Sequence, residues 1–92
     1  MNIETLKFQL GESLEHLNKL ATDVREGRIR PDDEPALGIQ LDHVMSHLCL
    51  LWNGRDLTIN QIGDLPQKKF ERLANTIPNF FGTKEIGEIA LD

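Results

Sequence analysis

The sequence predicts an all-α fold, and three observations carry that expectation. Apolar residues recur at steps of three and four from Ile3 to Val24, and a second stretch, Ala36 to Gly54, holds only one formally charged residue, Asp42. No stretch alternates apolar and polar residues over a β-branched run, so no strand is expected. With 92 residues the chain makes one domain, since chains divide only above about 250 residues. The expected architecture is a single helical domain over 1–92. A long antiparallel helical hairpin spans 2–53, two or three short helices lie within 58–90, and two copies form a homodimeric bundle.

The first helix is expected from Asn2 to Glu26. Ile3, Leu6, Leu10, Leu14, Leu17, Leu20, Ala21 and Val24 fall on one stripe, which is expected to lie against the second helix. Glu15 and Lys19 stand at a favourable i,i+4 spacing, and Gly27 occupies the place of a left-handed C-terminal cap. After a short connector, Arg28 to Pro31, either Asp32 or Asp33 caps a new helix whose first turn tolerates Pro35.

The second helix runs from about Glu34 to Trp52 and stops at Asn53-Gly54, a pair that accepts the left-handed conformation. Leu37, Leu41, Val44, Leu48 and Leu51 make its stripe, Met45 and Trp52 widen it, and Ile39, Cys49 and Leu50 fall outside it. A helix apolar nearly all round is expected to be enclosed nearly all round. A membrane span is disfavoured, because Gln40, Asp42, His43, Ser46 and His47 interrupt the segment and it falls short of about 20 apolar residues.

Beyond Gly54 the elements shorten. Thr58-Ile59-Asn60-Gln61 has the form of a capping box and predicts one or two turns ending at Gly63. Asp64-Leu65-Pro66-Gln67 opens a helix from Pro66 to about Thr76 with Phe70, Leu73, Ala74 and Ile77 inward, and Pro78 ends it. Phe80-Phe81-Gly82 reads as a turn, and a last short helix carrying Ile86, Ile89 and Ala90 is expected from Thr83.

Ten Lys and Arg against fifteen Asp and Glu give a net charge of −5, which repels phosphate backbones unless the cations are segregated. One cysteine makes no internal disulfide, and Met1 to Thr5 lacks the basic and apolar runs of a signal peptide, so a cytoplasmic location is expected.

The sharpest chemical candidate is a histidine group. His43 and His47 share a helical face at i,i+4, and folding the first two helices about their connector brings His16 level with both. Three imidazoles at one height suit a three-ligand metal site, with Asp42 or Glu12 as a further ligand or acceptor. Against it, Val44 and Met45 stand where a His-Glu-x-x-His pattern needs other residues, so no cofactor is expected. Cys49 sits among leucines, where burial raises a thiol's pKa and removes its nucleophilic form. Asp32-Asp33-Glu34 is accounted for by capping. No motif supports an enzyme.

The segment 58–77 has the outline of a helix-turn-helix, with Lys68, Lys69 and Arg72 on its second helix. Glu71 interrupts that basic face and no second basic cluster exists to hold phosphates, so nucleic acid is not expected as a partner. The favoured reading is a small acidic, non-enzymatic interaction protein, an adaptor or regulatory subunit that pairs with itself and with an unidentified protein. Its interface is expected at Leu48, Leu51 and Trp52, with Phe8 as a further anchor on the far side of the first helix. A DNA-binding regulator using 58–77 and a histidine-based metal protein are the alternatives.

Overall fold

The computed structural model describes residues 1–79. The expected turn at Phe80-Phe81-Gly82 and the helix from Thr83 lie outside the described residues. Among those described there are four helices and no strand: α1 (Ile3–Arg25), α2 (Glu34–Asn53), α3 (Ile59–Gly63) and α4 (Gln67–Asn75).

Each helix begins and ends for a local reason. The Asn2 side chain accepts the Thr5 N–H at 3.0 Å and starts α1. Gly27, at φ 77°, ends it, with the Gly27 N–H on the Val24 carbonyl and the Arg28 N–H on the Asp23 carbonyl, the two bonds of a left-handed stop. Asp33 caps α2 by accepting the Ala36 N–H at 3.2 Å, with Pro35 in the first turn. Thr58 and Gln61 exchange the two bonds of the expected capping box at the start of α3. α4 starts one residue later than expected, after Pro66.

Gly54 departs from its expected part. Its φ is −104°, an ordinary value, so no left-handed turn ends α2. It is buried, and a Cβ there would meet the Leu50 carbonyl oxygen at 2.9 Å and the Ile62 side chain at 3.1 Å. Glycine is needed for the close approach of α3, not for backbone freedom.

α2 runs back along α1. Gln40 meets Asp23, His47 meets Gln9, and Thr5 reaches Leu57 just beyond α2, so rising numbers on one element meet falling numbers on the other. The seam between them is polar. Thr5, Gln9, Ser13 and Asp23 are buried there, with Leu20 the buried apolar residue of α1. Every one is satisfied. Thr5 Oγ1 donates to the Leu57 carbonyl at 2.6 Å, Ser13 donates to the Gln9 carbonyl, and Asp23 accepts from Lys19, Arg28 and Gln40. Lys19 therefore pairs with Asp23 at 2.8 Å and not with Glu15.

This overturns the expected packing of α1. Ile3, Leu10, Leu14, Leu17 and Val24 stay exposed, with Leu14 at 60%. Periodicity locates a stripe but not the neighbour that covers it, and here a second line of small polar residues on the same helix takes the contact. α2 is likewise not enclosed by its own chain. Only Val44, Cys49 and Leu50 are buried, whereas Leu37, Ile39, Leu41, Met45, Leu48 and Trp52 remain exposed. The short helices explain why. α4 packs on α2, and Leu50, Ile62 and Ala74 form a small apolar core with Leu57 and Leu73 against it, which covers the Leu50 side of α2. Asn53 fastens that arrangement by donating to the Leu73 and Thr76 carbonyls at 2.8 and 2.7 Å.

Candidate functional site: a histidine cluster and an apolar face

At about 100° per residue, the exposed stripe of α1 lies about 100° round from the residues that contact α2, and the Leu37, Leu41, Met45, Leu48 and Trp52 row lies about as far round from the α1 contact. Because the two helices run in opposite senses, these offsets carry both rows to the same side. That side is continuous and apolar, with no charged residue on the α1 row from Ile3 to Val24 or on the α2 row from Leu37 to Trp52.

Of the residues expected at an interface, Leu48 and Trp52 stand on this side, and Arg55 lies over the Trp52 ring at 4.1 Å. Leu51 is half-buried nearer the α1 seam. Phe8 lies elsewhere. It borders a hollow on the opposite side with Ile59, Ile62 and Phe70, so it belongs to the surface that α3 and α4 share with α1. The exposed apolar row of α1 is not where its regular spacing alone puts it, against α2, and that spacing is the signal that marks the row in the sequence.

On the side opposite the apolar face the three histidines come together. The His16 ring stacks on His47 at 5.2 Å between centroids and meets His43 edge-on at 5.5 Å. Glu12, one turn before His16, brings a carboxylate oxygen to 3.9 Å from His16 Nε2. Ligand atoms of Glu12, His16 and His47 all lie within 4.8 Å of one another. Asp42, the other acid proposed as a ligand, instead lines a separate hollow with Cys49 and Ile77. The cluster opens on a groove of about 390 Å³ bordered by Ser46, Phe70 and Glu71.

Gln9 orients this cluster from below. Its Oε1 lies 2.7 Å from His47 Nδ1, the contact in which the Nδ1–H tautomer of the ring donates to the amide oxygen. Burial, and then the neighbouring His16, push the His47 pKa below that of an ordinary histidine. Cys49 is buried and burial pushes its thiol pKa up, which fits a core residue and not a nucleophile.

Lys68, Lys69 and Arg72 are exposed on one side of α4, opposite Ala74. The helix-turn-helix outline is weak in three dimensions. α3 has five residues, and α4 packs on α2 in place of a partner helix of that motif. No described helix is long and apolar enough to cross a membrane. No protein-family model matches this chain, nor does any curated protein or solved structure.

Proposed function

We propose that this chain is a small acidic, non-enzymatic interaction module, an adaptor or regulatory subunit, built as an antiparallel helical hairpin whose apolar side pairs with a second copy. One observation carries the reading: α1 and α2 turn their charge-free rows to the same side and leave them uncovered. Monomers rarely expose an apolar surface of this continuity without a partner for it. Two such hairpins related by a two-fold axis bury both rows as a four-helix bundle, with Leu14, Leu48 and Trp52 among the contacts.

A second copy is favoured over the chain's own residues 80–92 by supply. That segment offers Phe80, Phe81, Ile86, Ile89, Ala90 and Leu91, fewer large apolar groups than the two rows present. A second copy offers an equal number at matching spacing.

Sedimentation of the full chain at micromolar concentration tests this. The expected mass is twice the 10.5 kDa of one chain. A folded monomer whose mass and stability do not respond to Leu14→Asp would show that the face is covered from within, or not used, and would overturn the reading.

A further inference from the structure

The interaction reading leaves the histidine cluster unused, and its geometry points to a ligand. Glu12 and His16 come from α1, one turn apart, and His47 comes from α2 across the seam. We propose that Glu12, His16 and His47 bind one divalent transition-metal ion, zinc foremost, and that the ion clips α1 to α2.

The donor set selects the class of ion. Two imidazole nitrogens with one carboxylate oxygen suit zinc and its neighbours, whereas magnesium and calcium require oxygen ligands throughout. Tetrahedral ligands about 2.1 Å from zinc stand about 3.4 Å apart, so atoms now within 4.8 Å draw in by roughly an ångström. Half-buried side chains on two facing helices have that freedom.

Gln9 supplies the second, independent observation. Metal-bound histidines almost always donate their other ring N–H to an acceptor, which fixes the ring and the tautomer. The buried Gln9 stands at His47 Nδ1, where it accepts from the tautomer whose Nε2 is free to ligate; Ser13, which donates to the Gln9 backbone carbonyl, lies in the same buried line. His43, edge-on to His16 at 5.5 Å between ring centroids, borders the same groove.

The test uses the full untagged chain, stripped with a chelator and titrated with Co2+ by visible absorption, then with Zn2+ in competition. Saturation at one ion per chain is expected, with the cobalt bands of a tetrahedral site. His16→Ala and His47→Ala should each weaken binding at least tenfold, and Gln9→Leu should weaken it about 10–100-fold. Should a variant lose its helical circular dichroism, zinc titration of the parent chain is read from its imidazole proton resonances, which must shift at His16 and His47. No saturable binding, shifts that bypass both rings, or undiminished binding by a folded His16→Ala/His47→Ala chain would overturn the proposal.

Discussion

Gln40 donates to Asp23 across the α1–α2 seam at 2.9 Å, and that carboxylate also accepts from Lys19 and Arg28. One acid thus joins the end of α1, the connector and the first turns of α2. The hydrogen bonds from Lys19, Gln40 and Arg28, in that order, hold the Asp23 carboxyl well below the usual carboxylate range. A depressed carboxylate pKa stabilises the fold fully above the unfolded value near 4, and that contribution is lost as pH falls below it. Urea midpoints should therefore fall between pH 5 and pH 3. Asp23→Asn should lower the midpoint at pH 7 and flatten the acid dependence; an unchanged acid slope would mean that Asp23 does not set it.

Gly54 invites a second measurement. A methyl group added there meets backbone at 2.9 Å and Ile62 at 3.1 Å, so either α3 moves or α2 frays. Gly54→Ala should cost about 1–3 kcal/mol in chemical denaturation, the range for overpacking a filled site. Trimming the opposing side chain tests the cause. Ile62→Val in the Gly54→Ala background should cost less than in the parent, a coupling expected only of residues in contact.

These two sites also mark how far the sequence could be read. Caps and stops that depend on neighbours in the chain are legible at the start of α1, at Gly27 and at Thr58 with Gln61, whereas the left-handed stop expected at Gly54 is absent because tertiary contact with Ile62 sets that position. The level of His16 with His43 and His47 was legible too, because it needs only the length of two helices and their connector. What failed was the choice of contact face. Leu10 and Leu14 outweigh Gln9 and Ser13 on any hydropathy scale, yet the buried residues are Ser13, bonded to the Gln9 backbone carbonyl of its own helix, and Gln9, paired with His47 across the seam. Pairing of that kind depends on atoms far apart in the chain, and periodicity does not carry it.

The apolar face and the small core predict opposite outcomes for two leucines. Leu14 is 60% exposed in the single chain and Leu50 is 4% exposed among Ile62 and Ala74. Leu14→Asp should shift the chain from dimer to monomer in sedimentation while its far-ultraviolet circular dichroism keeps the helical signature. Leu50→Ala should instead lower folding stability by about 2–5 kcal/mol, the loss expected of a cavity in a core. Equal unfolding by both variants would show that Leu14 is part of the monomer's own core.

The metal-free chain should also be sensitive to mild acid through His47. Burial and His16 lower its pKa, His43 adds in the same sense, and Glu12 opposes them. Glu71 of α4 borders the same groove. A histidine depressed in the folded state takes up its proton first when unfolded, so its contribution is present above about pH 6.5 and declines as pH falls through that value. Urea midpoints measured between pH 7.5 and pH 5.5 should fall accordingly, and His47→Gln should flatten that decline. His47 itself should titrate in proton resonance below the unfolded histidine value. A His47 that titrates at or above that value would place the ring in water, and with it would go the half-buried bond to Gln9 across the seam.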